Sequence, residues 1–195
     1  MDIYFATTNE KKLSIRKDLE KDGIKIIQEP IELTEPRSSH VRDIAEAKIN
    51  EAYSIIQKPT IVIDAGFYIN ALNGFPRAYV NFALETIGLE GILSMMEGKR
   101  DRSCEFRECL AYMDETLKEP KYFIAHVKGR LAYMVRGKME EHLWSELGRI
   151  FIPDNHTKTL SEMNVKEYNK WRHKEREEHS LGTQLYKWIF NNKFK

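Results

Sequence analysis

The chain has 195 residues, of which 42% are hydrophobic and 31% charged, a composition typical of a folded globular domain rather than a disordered segment. Its formal net charge of +1 argues against bulk attraction to nucleic acid or to a membrane surface. No apolar run approaches the ~20 residues that span a bilayer, and we expect no signal peptide. Cys104 and Cys109 match neither a CxxC redox motif nor a zinc site. We therefore expect one cytoplasmic domain, residues 1–195, with reduced thiols and with neither nucleic acid nor membrane as a partner.

The start of the chain predicts a β-α-β unit, which is the building block of parallel sheets. The apolar run of residues 3–6 predicts the first strand. A helical pattern follows, with Thr8 or Asn9 as its N-cap, and Gly23 ends it. The isoleucines within residues 24–27 predict the second strand.

A loop, a helix and a buried strand come next. Residues 29–40 contain two prolines and two serines and predict a loop. Apolar residues at helical spacing predict a second helix from about Val41 to Ile56. The almost wholly apolar, β-branched run of residues 60–63 predicts a buried central strand with Asp64 at its carboxyl end.

The second half of the chain predicts helices and strands in mixed order. We expect a turn, a helical segment broken near two glycines, two extended segments, a short strand and a charged helical C-terminus. The turn lies at residues 73–76, and the helical segment at 78–97 is broken near Gly88 and Gly91. The extended segments are 103–113 and 121–135, the short strand is 150–152, and the charged helical part is the last forty residues. The C-terminal helix has an apolar face formed by Leu181, Leu185, Trp188 and Ile189. This order predicts an α/β domain with an elongated mixed sheet.

A candidate phosphate site lies between the first strand and the first helix. Thr7, Thr8 and Asn9 carry short hydroxyl and amide side chains, which leave backbone N–H groups at a helix N-terminus free to meet an anion. Lys12, one turn into the helix, can reach back as a point charge. The pattern suits a triphosphate, although an ordinary capped helix with surface lysines would have the same sequence.

This candidate site belongs to a longer series of motifs. The segments are 5–13 (FATTNEKKL), 42–52 (RDIAEAKINEA), 62–66 (VIDAG), 70–76 (NALNGFP), 158–163 (KTLSEM), 167–169 (EYN) and 173–174 (HK). In order and spacing they resemble the motifs of the inosine triphosphate pyrophosphatase family, the XTP/dITP diphosphatases that hydrolyse non-standard purine nucleotides. The resemblance implies an α/β fold in which an elongated mixed β-sheet is flanked by helices, two lobes around a central cleft, and a homodimer.

The resemblance also implies roles for individual residues. Asp64 matches the acid that binds Mg²⁺ or activates water, with Mn²⁺ as the alternative metal, and Lys12 matches the phosphate lysine. These two are the expected catalytic residues. His173 and Lys174 match the His-Arg pair that closes over the nucleoside triphosphate. Arg77 stands at a glycine position of the family and adds a cation close to the expected phosphate site.

Several positions depart from the family pattern. Ile63 replaces the first of two adjacent acids, and His40, a poor magnesium ligand, stands near the position of the metal-binding glutamate. Glu35 or Asp43 could supply the second metal ligand from a shifted loop. Tyr168 replaces the lysine of the EKN motif and is an expected substrate contact.

The base-recognition segment GFGYDPIF of the family is missing, and residues 143–151 (LWSELGRIF) stand in its place. Trp144 could offer a stacking face and Glu146 a hydrogen-bond acceptor, or both could be core and surface residues. Two interpretations follow. The protein is either a pyrophosphatase with an altered site or a catalytically impaired relative that binds nucleotide and acts in regulation. The retention of Lys12 and Asp64 favours the enzyme.

Overall fold

The computed structural model describes the backbone of residues 1–176 and 180–193, and the side chains of these residues except 174–176 and 193. The chain divides into two compact units. The first unit comprises Met1–Ala65, Glu108–Ala125 and Glu177–Lys195, and the second comprises Gly66–Arg107 and His126–Arg176. The single domain and the cleft expected from the sequence stay predictions.

The described residues form one seven-stranded mixed sheet. Its strands are β1 (Asp2–Ala6), β2 (Lys25–Glu29), β3 (Thr60–Ile69), β4 (Pro76–Arg77), β5 (Ser103–Met113), β6 (Lys121–Leu131) and β7 (Phe151–Pro153). The order across the sheet is β2-β1-β3-β5-β6-β7, and β4 pairs with β3. β1 is parallel to β2 and β3, whereas β3 with β4 and β6 with β7 are antiparallel. The predicted β-α-β start and the mixed α/β class are confirmed.

The helices of the described residues accompany these strands in the predicted order. They are α1 (Arg16–Leu19), α2 (Val41–Ile56), α3 (Val80–Thr86), α4 (Gly88–Ser94), α5 (Val165–Arg176) and α6 (Leu181–Lys193), with 3₁₀ turns at Glu10–Ile15, Asn70–Leu72, Glu146–Arg149 and Leu160–Glu162. The break between α3 and α4 falls at Gly88, whose φ is 65°, while Gly91 lies inside α4. Within the described ranges, every helix is too short or too polar to cross a bilayer.

The core of the first unit is an apolar cluster on one face of its strands. β1, β3 and β5 contribute alternate residues, which point to the same side of a sheet. Its members include Ile3, Phe5, Ile61, Leu110, Tyr112, Leu181, Leu185 and Ile189. Trp188 packs partly buried against the cluster, so the apolar face predicted for the C-terminal helix is confirmed.

Helix α2 packs on the opposite face of these strands. Ile63 packs against the core cluster, and the next residue of β3, Asp64, contacts Lys48 of α2. Because successive side chains of a strand point to opposite faces, α2 lies on the side away from the cluster. Helices therefore flank the sheet of this unit on both faces, as the α/β class requires.

The central strand is longer than predicted. β3 continues to Ile69 because Phe67 and Ile69 are buried in the core of the second unit, and Phe67 and Tyr68 pair with β4. Asp64 thus lies within β3 rather than at its end. β1 nevertheless ends at Ala6, so Asp64 lies beyond the last residues that β1 and β3 pair.

The first helix is also different from the predicted α-helix. Asn9 is its N-cap, since Asn9 Oδ1 accepts a hydrogen bond from the N–H of Lys11 at 3.0 Å. The next N–H, that of Lys12, donates to the carbonyl of Asn9 at 3.1 Å, which winds residues 10–15 as a 3₁₀ turn. Only the four residues of α1 then form an α-helix within this stretch, too few for a substantial macrodipole. An anion here would be held by N–H groups and lysine instead.

Candidate active site

The first unit gathers charged side chains from separate elements around Lys48. The Nζ atom of Lys48 lies 2.9 Å from Asp64 Oδ2 and 2.5 Å from Glu35 Oε1. The side chains of Lys48 and Asp64 are 11% and 13% exposed, whereas that of Glu35 is 69% exposed. Lys48 is therefore a nearly buried cation shared by a nearly buried carboxylate and an open one.

Sequence reasoning did not assign a role to Lys48. Its signal is its place on α2, where it shares the buried face with Val41, Ile44, Ala45, Ile49 and Ala52. A lysine on the apolar stripe of a helix must find a carboxylate or another acceptor, since burial of an unpaired charge is costly. Burial lowers the pKa of Lys48, but Asp64 and Glu35 outweigh burial and the net pKa is raised. Lys48 stays protonated.

Asp64 has an oxygen suited to a cation or a water molecule. Oδ2 is buried and has no well-aligned hydrogen-bond donor in the part of the chain that the structure describes. Lys48 Nζ lies 2.9 Å from this oxygen, so the two groups form an ion pair. Buried carboxylate oxygens normally have hydrogen-bond partners. This one retains acceptor capacity.

Lys12 reaches the same stretch of β3, beyond the end of β1. Its Nζ donates a hydrogen bond to the carbonyl oxygen of Ile63 at 2.6 Å. Burial lowers the pKa of Lys12 below its ordinary value; Asp64 opposes this effect, Lys48 reinforces it, and Glu35 and Glu108 oppose it. Two lysines thus flank β3 just beyond the end of β1, an arrangement suited to an anion with several charges.

The loop after β1 carries the predicted phosphate contacts. Thr7 is 8% exposed, and its Oγ1 accepts a hydrogen bond from the N–H of Asn9 at 3.1 Å. Its carbonyl accepts one from Gln28 Nε2 at 3.0 Å, which fixes the loop to β2. Thr8 is exposed. Thr7, Thr8 and Asn9 therefore belong to the same unit as Lys12 and Asp64, and their contact with phosphate stays a prediction.

The acidic residues next to Lys48 are the candidates for a magnesium site. Asp64 and Glu35 each present an oxygen to Lys48 Nζ, whereas Asp43 accepts a hydrogen bond from Ser38 Oγ at 2.8 Å. Of the two candidates for a second ligand, the geometry favours Glu35. Among the described residues no group of three or more His, Cys, Asp or Glu side chains could hold a metal. Mg²⁺ is often bound by one or two carboxylates, with water and substrate phosphates completing its shell.

Arg77 lies in the second unit, in strand β4 between β3 and α3. Its φ is +57°, and its Nη2 donates to the carbonyl of Asn73 at 3.0 Å. A positive φ is uncommon for a residue with a side chain, so Arg77 occupies a conformation that glycine adopts without strain. Nearby, a Cβ at Gly66 would lie 2.7 Å from the carbonyl of Arg77, so this glycine permits β3 and β4 to pair.

The aromatic candidates also lie in the second unit. Trp144 is partly buried, and its ring centroid is 4.4 Å from that of Phe106. Tyr168 is 1% exposed and packs between His142 and Trp171, with centroids 4.9 and 5.5 Å away. Both aromatic residues contribute to the core of this unit. Their contact with a base stays a prediction.

The remaining candidates are charged residues of the second unit. Glu146 is exposed and lies 3.9 Å from Arg149. His173 is exposed on α5, where it is accessible to a ligand. Lys174 follows in the same helix, but its side chain lies outside the described residues. These substrate contacts stay predictions.

The KTLSEM motif has a structural explanation. Thr159 and Glu162 form a capping box, in which the N–H of Thr159 donates to Glu162 Oε2 at 2.8 Å. Ser161 Oγ donates to the carbonyl of Arg136 at 2.7 Å. A Cβ at Gly137 would lie 2.5 Å from Ser161 Oγ, so the two segments pack closely. These residues hold the loop after β6 in place.

The chain is similar to the dITP/XTP pyrophosphatase of Saccharolobus solfataricus, with 37% identity over 175 residues, 89% of this chain and 88% of that protein. It is similar to the dITP/XTP pyrophosphatase of Hyperthermus butylicus, with 31% identity over 188 residues, 96% of this chain and 94% of that protein.

Solved structures share the fold at lower identity. The Ham1 protein of Staphylococcus aureus superposes with a TM-score of 0.76 at 21% identity, covering 96% of this chain and 100% of that chain. The HAM1 protein of Coxiella burnetii superposes with a TM-score of 0.78 at 24% identity, covering 96% and 99%. The model of the Ham1 family matches residues 3–181. By this match over nearly its whole length, the chain belongs to the Ham1 family.

Proposed function

We propose that this protein is a nucleoside triphosphate pyrophosphatase that converts non-standard purine nucleotides of the dITP and XTP type to monophosphate and pyrophosphate. The observation that carries the proposal is the arrangement of Lys12, Lys48 and Asp64 around β3, just beyond the end of β1. Similarity at 37% identity to a protein named dITP/XTP pyrophosphatase supports the substrate class.

The two lysines hold the triphosphate. Lys48 keeps its proton because Asp64 and Glu35 raise its pKa above the ordinary value. Lys12 is fixed by its hydrogen bond to the carbonyl of Ile63, so its ammonium group has a defined position. Backbone N–H groups of the loop at Thr7–Asn9 are the expected further contacts, with Arg77 as an additional cation.

Asp64 and Glu35 would hold Mg²⁺, or Mn²⁺ as the alternative, and a metal bound there would neutralise charge on the phosphate oxygens. Asp64 Oδ2, which retains acceptor capacity, accepts a hydrogen bond from the attacking water and orients it. The water oxygen bonds to one phosphorus of the α–β bridge, and the bridging oxygen leaves with the other product. Positioning and electrostatic stabilisation supply most of the rate acceleration.

The contacts to the nucleoside are those that the family resemblance implies. His173, which is exposed on α5, and Lys174 are the residues expected to close over the nucleotide. The exposed part of Trp144 offers a surface for the base. Tyr168 is 1% exposed and belongs to the core of the second unit.

We also propose a homodimer in the cytoplasm. Exposed apolar side chains are concentrated in and around α3, where Tyr79, Phe82 and Ile87 are 45%, 66% and 41% exposed. Such patches are typical of interaction surfaces. Both cysteines are free and buried, as is usual in a reducing compartment. Burial raises the pKa of Cys109 to about 11, which argues against a nucleophilic thiol.

The test is pyrophosphate release from a panel of standard and non-standard nucleoside triphosphates, with Mg²⁺ and with Mn²⁺. Asp64→Asn is the test variant, and Asp43→Asn, which removes an exposed acid bonded to Ser38, is the matched control. The proposal is supported if Asp64→Asn abolishes pyrophosphate release and Asp43→Asn retains it. If nucleotides stabilise the protein against heat but none of them is hydrolysed, the protein is instead a nucleotide-binding relative without pyrophosphatase activity.

A further inference from the structure

Glu105 is a nearly buried carboxylate of the second unit that two basic side chains share. Arg107 lies two residues further along β5, so its side chain points to the same face of the sheet. Arg107 Nε donates to Glu105 Oε1 at 2.7 Å, and Arg107 Nη2 lies 2.6 Å from the same oxygen. His126 Nδ1, on β6, lies 3.0 Å from Glu105 Oε2. Glu105 is 13% exposed, whereas Arg107 and His126 are 40% and 43% exposed.

The charge of Glu105 and an aromatic ring together fix the guanidinium of Arg107. Burial would raise the pKa of Glu105, but its contacts with Arg107 and His126 outweigh burial, and the pKa is lowered. The Cζ atom of Arg107 lies 4.2 Å from the ring centroid of Tyr68, which is 5% exposed. Because Glu105 holds one edge of the guanidinium and Tyr68 covers one face, the position of Arg107 does not depend on a ligand.

The opposite edge of this guanidinium is open. Arginine has five N–H donors in a rigid plane, and the edge that carries Nε faces Glu105. Nη1 has no hydrogen-bond partner among the residues that the structure describes. The edge formed by Nη1 and Nη2 therefore matches two oxygens of a phosphate group, which arginine binds in a bidentate manner.

The side chains around this edge carry an excess of positive charge. A Cβ at Gly74 would lie 3.5 Å from Tyr68 Cδ1 and 3.2 Å from Arg77 Nε, so the side chain of Arg77 lies next to the same ring. Below about pH 6.5 histidine side chains are mostly protonated and donate from both ring nitrogens. His126 then has Nε2 as a donor while Nδ1 contacts Glu105. These contacts combine three basic side chains with one carboxylate, which favours an anion.

We propose that Arg107 and His126, held in place by Glu105, form an oxyanion site of the second unit that binds phosphate groups. The open edge of Arg107 contacts two phosphate oxygens, and Nε2 of His126 donates to a third. The phosphate belongs either to a bound nucleotide or to the pyrophosphate that its hydrolysis releases. The choice of these ligands rests on the proposed function, whereas binding at the site requires no hydrolysis.

The experiment measures affinity by calorimetry at pH 6 for two ligands, inorganic pyrophosphate without added metal and the α,β-methylene analogue of dITP with Mg²⁺. We expect Arg107→Gln to weaken the binding of pyrophosphate about tenfold, because a charge-assisted bidentate contact is lost. Arg107→Lys keeps the charge but has no planar edge, so it should weaken binding at least about threefold. His126→Gln should weaken binding about threefold, because one donor to the phosphate is lost.

Arg130→Gln is the matched control, because it removes the same charge from the same unit. Arg130 is exposed on β6, and its Nη2 donates to the carbonyl of His156 at 2.8 Å rather than to a carboxylate. This variant should bind both ligands as wild type does. If Arg107→Gln fails to fold, His126→Gln, at an exposed side chain, tests the site by itself.

The two ligands distinguish the sources of the phosphate. If Arg107→Gln binds both ligands more weakly, the site takes the phosphates of the nucleotide, and if it binds only pyrophosphate more weakly, the site takes the released product. An equal loss in Arg130→Gln, full affinity in Arg107→Lys, or unchanged binding by both Arg107→Gln and His126→Gln would overturn the inference. A wild-type protein that binds both ligands at this site but hydrolyses no nucleotide would overturn the proposed function and leave the inference standing.

Discussion

Replacement of Lys48 by methionine should destabilise the fold through Asp64. Methionine keeps most of the side-chain volume but removes the ammonium group that lies 2.9 Å from Asp64 Oδ2. Because the two side chains are 11% and 13% exposed, the variant leaves a nearly buried carboxylate without its cation. Breaking a buried ion pair by removing one partner costs about 3 kcal/mol or more. The loss of Glu35 as a partner adds little, since a pair with an exposed group contributes roughly 0–1 kcal/mol.

The assay is urea unfolding of Lys48→Met beside Glu35→Gln, with the free energy of unfolding extrapolated to water. We expect a loss of about 3 kcal/mol for the first variant and under about 1 kcal/mol for the second. The double variant Lys48→Met/Asp64→Asn should lose less than Lys48→Met, because the unpaired charge is gone. A loss under about 1 kcal/mol for Lys48→Met would refute the reasoning, since the pair would then behave as a surface pair.

The same pair predicts a pH dependence at the alkaline end. The pKa of Lys48 in the folded protein is raised above its ordinary 10.5. Its contribution to stability is therefore fully present below pH 10.5 and is lost as the pH rises through the raised value. Wild type should lose this part of its stability above that pH, and Lys48→Met should show no corresponding loss.

Four further predictions concern separate parts of the molecule. Asp64→Asn should reduce kcat for pyrophosphate release by at least about a hundredfold, measured beside the control Asp43→Asn. A smaller change would show that Asp64 has no catalytic role. Burial lowers the pKa of Lys12 below 10.5, so the alkaline limb of kcat/KM should begin below that pH and move upward in Lys12→Arg. Arg77→Gly should raise the free energy of unfolding by about 1 kcal/mol, because a residue with a side chain is strained at φ of +57°. The same variant should bind nucleotide more weakly, and a destabilised variant would contradict the reasoning. Phe82→Glu, at a residue 66% exposed on α3, should shift the protein from dimer to monomer in analytical ultracentrifugation, and an unchanged mass would exclude this surface as the interface.

Where the sequence pattern is local, it predicts the fold well. The boundaries of α2 agree with the predicted Val41 and Ile56, because its apolar stripe is regular and Gln57 leaves the helix with φ of +51°. β3 was predicted to end at Asp64 because the hydrophobic run ends there. Pairing with β4 and burial of Phe67 extend the strand, and both depend on residues distant in the chain.

Sequence reasoning likewise identified only those site residues that have a local sequence signal. Lys12 and Asp64 stand next to recognisable turns and strands, and the structure brings both to β3. Lys48 carries no comparable local signal, since a lysine in a helix is usually solvent-exposed. Its position follows from which face of α2 is buried, and only the assembled sheet determines that.

The two faces of β3 also account for the tolerance of Ile63 in this site. Adjacent residues of a strand point to opposite faces, so Ile63 and Asp64 have different surroundings. Asp64 faces Lys48 of α2, whereas Ile63 packs against the core cluster of the first unit. An acid at position 63 would therefore point away from Lys48 and towards apolar side chains, and its replacement by isoleucine leaves the Asp64–Lys48 pair intact.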